Sequence, residues 1–169
     1  MSQDKKTNTQ HPIPNMTATE IEIYTDGSCN PVTNIGAWGA ILFIQDEKIV
    51  LNGTQEDTTH NRMELLAVIE AIKFLREKNL GRLPVRIYTD SQYVEKIQDR
   101  KQKLVEQHFL TRKGTAVGNA DLVQTLINLT AEGNISFGKV KAHQKSGDTP
   151  NFNREVDMMV RKLIRGFTR

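Results

Sequence analysis

Two segments, residues 21–26 and 85–90, read IEIYTD and VRIYTD, and each alternates apolar with polar side chains. Such alternation is typical of β-strands with one buried face. Asp26 and Asp90 occupy the same phase of their segments. If the two strands are parallel neighbours, both aspartates lie at the carboxyl edge of the sheet, where open α/β sheets bind ligands. Either aspartate taken alone is equally typical of the start of a turn.

The remaining pattern predicts an α/β domain with a mixed sheet. Residues 36–45 and 48–54 form a predicted hairpin, and a long helix begins near Thr58 or Thr59 and ends before Gly81. Short helices are expected within residues 91–109, a helix at 121–131, a strand at 135–142 and a last helix at 153–165. Residues 1–19 are polar and are expected to be a disordered tail, with the folded domain at 20–169.

Two further carboxylates fall on predicted helix faces that carry apolar residues. Glu64 is in helical register with Val68, Ala71 and Leu75, and Asp157 shares a face with Val160. A first-turn glutamate is also favoured by the helix dipole, and a helical aspartate is often simply solvated. The helix dipole favours a first-turn acid on any face, so it does not explain why Glu64 falls on the apolar face.

Four carboxylates at one place would repel one another and resist full ionisation, unless divalent cations neutralise them. A set of oxygen ligands without cysteine suits Mg²⁺ or Mn²⁺. Two such ions can activate a water and stabilise a leaving oxygen in phosphodiester hydrolysis. The four residues are Asp26, Glu64, Asp90 and Asp157.

The ordered motifs YTDGSC, TTHNRMELLAVIEAI, YTDSQYV, VKAH and NREVD resemble type 1 ribonuclease H of the bacterial type. The resemblance covers nearly everything after the tail. It implies a ribonuclease H-like fold, with a five-stranded mixed sheet flanked by α-helices. It also implies endonucleolytic hydrolysis of the RNA strand of RNA–DNA hybrids, giving 5′-phosphate and 3′-hydroxyl ends.

The resemblance extends to individual residues of the site. Asp26, Glu64, Asp90 and Asp157 match the family's metal-binding carboxylates, which implies two Mg²⁺ ions with Mn²⁺ as a substitute. His143 matches the family's loop histidine, which assists water activation or product release. Read without the family, His143 is an ordinary surface histidine.

Substrate contacts are expected at the start of the long helix and in the loop after the first strand. Backbone N–H groups and the dipole at a helix N-terminus favour a phosphate. The resemblance makes Thr59, Arg62 and Asn119 candidates for a DNA-strand phosphate, although Thr59 is also a plain N-cap. It makes His60 a candidate base or 2′-hydroxyl contact. Asn30 and Asn34 are candidates for RNA minor-groove contacts.

Many bacterial relatives carry a basic, tryptophan-rich handle after the YTDSQYV motif. The corresponding stretch here has five cations and no tryptophan, and its acids also fit an ordinary solvated surface. We call these five residues the basic segment and expect them to bind the hybrid: Arg100, Lys101, Lys103, Arg112 and Lys113.

The net charge of +3 is compatible with a polyanionic partner. The chain has neither an apolar run of membrane-span length nor an export signal, and it has a single cysteine. We therefore expect a cytoplasmic protein that does not bind a membrane, and its initial Met and polar tail suggest a free-standing protein. We also expect a monomer. Three alternatives remain at this point: a transposase or resolvase with the same fold, a reverse-transcriptase domain, and a hybrid-binding module without catalysis.

Overall fold

The computed structural model describes residues 20–140 and 151–167. The strands in these ranges are β1 (Ile21–Cys29), β2 (Gly36–Ile44), β3 (Glu47–Gln55), β4 (Val85–Thr89) and β5 (Ile135–Lys139). The helices are α1 (His60–Glu77), α2 (Gln92–Asp99), α3 (Lys101–Glu106), α4 (Ala120–Ala131) and α5 (Phe152–Phe167). The tail at 1–19, the last residues of the predicted strand at 135–142 and His143 lie outside the described residues.

The strands form one sheet in the order β3-β2-β1-β4-β5. The first three pair antiparallel, whereas β1 with β4 and β4 with β5 pair parallel. Tyr24 is the register partner of Tyr88, so the two YTD segments run side by side in phase. The predicted five-stranded mixed sheet flanked by helices is confirmed.

The two YTD strands end differently from the prediction. β1 continues past Asp26 to Cys29, because β2 remains paired with it as far as Gly36. β4 stops at Thr89, because Ser91 turns the chain into α2 and its hydroxyl accepts the N–H of Val94 at 3.2 Å. Asp26 therefore lies inside a strand, and Asp90 lies just beyond one.

Helices cover the two faces of the sheet unequally. The larger core lies between the sheet and helices α1 and α4, where side chains such as Ile23, Leu65 and Leu126 are fully buried. On the other face α5 covers β1 and β2, with Val156 and Val160 against Ile41. Asp26 shares the α5 face with Tyr24, since alternate residues of a strand point the same way.

Helix α5 begins one residue before the predicted position 153. Asn151 caps it, because its Oδ1 accepts the N–H of Arg154 at 3.1 Å. Across 20–140 and 151–167, none of the helices combines the length and apolar character that crossing a membrane requires.

Candidate active site

Gly27 brings the first turn of α1 onto β1, directly beside Asp26. A Cβ added at Gly27 would lie 2.2 Å from the carbonyl carbon of Met63 and 2.3 Å from the backbone nitrogen of Glu64. Real Cβ atoms do not approach other atoms so closely, so only glycine permits this contact. The glycine of the YTDG motif therefore sets the separation between the carboxylates of Asp26 and Glu64.

Asp26 is the electrostatic centre of the site. The pKa of its carboxyl group is raised to about 7, chiefly by burial and next by the nearby charge of Asp90. Asp157 and Glu64 act in the same direction more weakly, whereas the backbone N–H of Gly27 opposes the shift. The side chains of Asp26, Glu64, Asp90 and Asp157 are thus close enough to disfavour full ionisation together.

Glu64 is held on the buried face of α1 by two neighbours. The residue is only 8% exposed, and Val68, Ala71 and Leu75 of the same stripe are buried, as the helical register predicts. The hydroxyl of Ser91 donates to its Oε2 at 2.5 Å, and Nε2 of His60 lies 3.0 Å from its Oε1. Burial raises the pKa of Glu64, and the hydrogen bond from Ser91 opposes that shift.

Asp157 reaches the site from the flank of α5. It is half-buried, and its Oδ1 accepts a hydrogen bond from Nε of Arg161 at 2.7 Å. Asp90 is exposed at the end of β4. The four carboxylates therefore come from a strand interior, a strand end and two helices, one on each face of the sheet.

These carboxylates do not form a ready-made metal site. Within the described ranges, no group of three or more His, Cys, Asp or Glu side chains is arranged to hold a metal ion. Glu64 is turned towards Ser91 and His60, and Asp157 towards Arg161. The donor set nevertheless consists of carboxylate oxygens, and its shared charge favours a hard divalent cation.

Thr59, Arg62 and Asn119, the predicted phosphate contacts, come together at the start of α1. Thr59 is the N-cap, and its Oγ1 accepts the N–H of Arg62 at 3.4 Å. Nη1 of Arg62 lies 3.4 Å from Oδ1 of Asn119, and the Nδ2 of Asn119 donates to the hydroxyl of Tyr93 at 3.0 Å. The guanidinium also forms a two-point pair with Asp121 at 3.0 and 2.9 Å, so a phosphate would compete with that carboxylate.

The two loop asparagines support the backbone of their own loop. Oδ1 of Asn30 accepts the N–H of Val32 at 2.8 Å, and Asn34 adopts a left-handed φ of 54°. The carbonyl of Asn34 accepts the N–H of Thr58 at 3.0 Å and ties the loop to the start of α1. His60 is 57% exposed and points one ring nitrogen at Glu64.

The five cations of the basic segment are all exposed. Lys101 and Lys103 lie in α3, and Arg100 precedes it. Arg112 and Lys113 lie in the turn between Leu110 and Ala116, which form an isolated β-bridge. No described contact ties them to the four carboxylates, so the structure shows two separate sets of candidate residues.

Sequence reasoning missed four residues that contact the candidates. Arg161 lies four residues after Asp157, a spacing that predicts a helical ion pair. Ser91 follows Asp90 directly and caps α2, which was a usable signal for a side chain at this edge. Nothing in the sequence pointed to Asp121 or Tyr93. The contact of Asp121 depends on how α1 and α4 meet, and that of Tyr93 on how α2 meets the residue before α4.

Comparison with known proteins places this arrangement in a family. A family model described as RNase H matches residues 18–165. A protein named ribonuclease H from Caldicellulosiruptor saccharolyticus is 38% identical over 148 residues, which cover 86% of this chain and 97% of that protein. One of the same name from Wolbachia sp. subsp. Drosophila simulans is 37% identical over 150 residues, covering 88% and 98%. A foamy viral protease-reverse transcriptase, solved in complex with dsDNA, shares the fold with a TM-score of 0.68 at 21% identity, covering 84% of this chain and 92% of that one.

Proposed function

The chain belongs to the ribonuclease H family, and we propose that it is an endonuclease that hydrolyses the RNA strand of RNA–DNA hybrids. The observation that carries the proposal is the convergence of Glu64, Asp90 and Asp157 on the partly buried Asp26, whose pKa burial and these charges together raise to about 7. Such repulsion is unfavourable for the protein alone. It is useful where cations and a phosphodiester bind.

The ligands that we assign are Asp26, Glu64, Asp90 and Asp157. Their oxygens suit Mg²⁺, with Mn²⁺ as a substitute. The chemistry that a bound pair of these ions supplies is activation of a water and stabilisation of the leaving 3′-oxygen, which leaves a 5′-phosphate on the other product. Glu64 and Asp157 would exchange their present partners for a cation.

The residues of the chain provide the remaining functions. We assign His143 as the group that carries a proton near the site, because an imidazole titrates near neutral pH. We assign Thr59, Arg62 and Asn119 to a phosphate of the DNA strand, supported by their convergence at the start of α1. The basic segment and the loop asparagines Asn30 and Asn34 extend the contact with the hybrid. We extend the proposal to a monomer that works in the cytoplasm.

Gel analysis of labelled nucleic acids tests the activity. The protein should cut the RNA strand of an RNA–DNA hybrid with Mg²⁺ or Mn²⁺, and should leave RNA–RNA, DNA–DNA and single strands intact. EDTA should abolish cutting. Equal cleavage of double-stranded DNA, or full activity in EDTA, would contradict the proposal.

A matched pair of substitutions tests the carboxylate assignment. Asp26→Asn removes a proposed ligand, whereas Asp46→Asn makes the same chemical change in the exposed turn between β2 and β3. The first variant should lose cleavage and the second should keep it. Retained activity in Asp26→Asn would refute the assignment.

A further inference from the structure

One flank of α5 is basic along its whole length. Arg154, Met158, Arg161 and Arg165 occur at i, i+4, i+7 and i+11, so they lie on one helical stripe. All four are exposed, and Met158 is exposed by 60%. We call these four residues the α5 stripe.

The side of α5 opposite the stripe packs on the sheet, and this packing determines which way the stripe faces. Val156 and Val160 are completely buried against the sheet. A Cβ added at Gly39 would lie 2.4 Å from Cε of Met159, so the helix and β2 are in close contact. Rotation of α5 would expose this apolar side, which keeps the stripe turned towards solvent.

The stripe carries three arginines and no carboxylate. Glu155 and Asp157 are the carboxylates of this helix. Glu155 pairs with Lys48 at 2.6 Å on the other flank, whereas Asp157 pairs with Arg161 at 2.7 Å within the site. This ion pair brings Arg161 of the stripe into direct contact with a proposed metal ligand. The stripe therefore runs beside the carboxylates.

We propose that the α5 stripe binds the phosphate backbone of the nucleic-acid substrate beside the cleavage site. This inference rests on the proposed function. The stripe covers 11 residue steps, or about 16 Å at 1.5 Å per residue. One duplex strand carries a phosphate about every 3.4 Å along the axis, so the stripe can face about five phosphates. Arginine suits them because its planar fork donates two parallel hydrogen bonds to a phosphate.

The stripe is a surface separate from the basic segment and from the cluster at the start of α1. An anionic membrane is the competing partner for a basic amphipathic helix. The apolar side of α5 is used by the sheet, so among the described large apolar side chains of this helix only Met158 and, at its last residue, Phe167 are exposed for a lipid. Nucleic acid is therefore the better match.

Fluorescence anisotropy with a labelled RNA–DNA hybrid in EDTA measures binding without cleavage. The test variant is Arg154→Gln/Arg165→Gln, which leaves the partner of Asp157 in place. The matched control is Lys78→Gln/Arg82→Gln, which removes the same charge from exposed positions after α1. Lys78 lies about 21 Å along that helix from Glu64 at 1.5 Å per residue. A charge-retaining variant, Arg154→Lys/Arg165→Lys, completes the set, and thermal melting verifies that each protein is folded.

The test variant should raise Kd by about 3- to 10-fold near 0.1 M KCl, and should lower the slope of log K against log salt by about 1.8 for two lost contacts. The control should match wild type, and the lysine variant should recover most of the affinity. An unchanged Kd and salt slope in the test variant, or an equal loss of hybrid affinity in the control, would overturn the inference. Cleavage of the hybrid by the wild-type protein would still support the proposed function in that case. Loss of binding to phosphatidylserine vesicles with unchanged hybrid affinity would overturn it in favour of a membrane.

Discussion

Replacing Gly27 with alanine should separate the proposed metal ligands. The new Cβ would lie 2.2 Å from the carbonyl carbon of Met63, whereas ordinary contact begins at 3.4 Å. The obstacle is backbone, not the end of a flexible side chain. The first turn of α1, with Glu64, must therefore move by about 1.2 Å relative to β1.

Two magnitudes follow from this displacement. Overpacking of this kind costs about 1–3 kcal/mol of folding free energy, and a backbone clash belongs at the upper end. For a domain of this size, about 3 kcal/mol corresponds to a fall in Tm of about 6–12 °C. A displacement of about 1 Å at a reacting centre costs roughly 100-fold in rate.

Gly166 provides the matched control. It lies in α5, and a Cβ added there meets nothing within 4 Å. Gly166→Ala should therefore stabilise the protein by about 0.5–1 kcal/mol through helix propensity, the opposite sign to Gly27→Ala. Differential scanning calorimetry and hybrid cleavage well below Tm measure both effects. Wild-type Tm and kcat in Gly27→Ala would refute the argument that this glycine sets the approach of α1.

Three further predictions concern the remaining site residues. Without metal, the free energy of unfolding should fall as pH rises from about 4 to 7, because the folded pKa of Asp26, about 7, exceeds its unfolded value of 3.8. Asp26→Asn should lack this slope in urea titrations and should gain less Tm than wild type from Mg²⁺; clear destabilisation without metal would indicate a structural role instead. His143→Ala should lower turnover by roughly 10- to 1000-fold while hybrid binding persists, and unchanged turnover would exclude this histidine. Replacing the basic segment with glutamine should raise KM several-fold with kcat near wild type, and should flatten the salt dependence by ~0.9 per lost contact; an unchanged KM and slope would make it a solvated surface.

The fold was accessible from the sequence because its signals are local. The alternation around Tyr24 and Tyr88 and the helical register after Glu64 each depend on a few neighbouring residues. The ends of β1 and β4 were less accessible. Cys29 is still in the sheet because of its partner strand, and Thr89 ends β4 because Ser91 caps the next helix.

Contacts between distant segments could not be predicted. Arg62 meets Asp121, and Glu64 meets Ser91, only because α1 lies against α4 and the end of β4. Each pair is far apart in sequence, and the motifs around Arg62, Glu64 and Ser91 do not indicate which residue each one contacts. The need for glycine at position 27 could not be predicted either, because the backbone of Met63, a distant residue, excludes a side chain there.

The partners of the carboxylates suggest how the metal-free site remains folded. Three of the four proposed ligands have a substitute for a cation: a proton for Asp26, Ser91 and His60 for Glu64, and Arg161 for Asp157. Such contacts lower the cost of burying negative charge. They also occupy the same oxygens that a divalent ion needs. The free energy of metal binding is therefore expected to be the difference between the contacts that the cation makes and the contacts that it displaces. Metal affinity should rise with pH as the proton leaves Asp26.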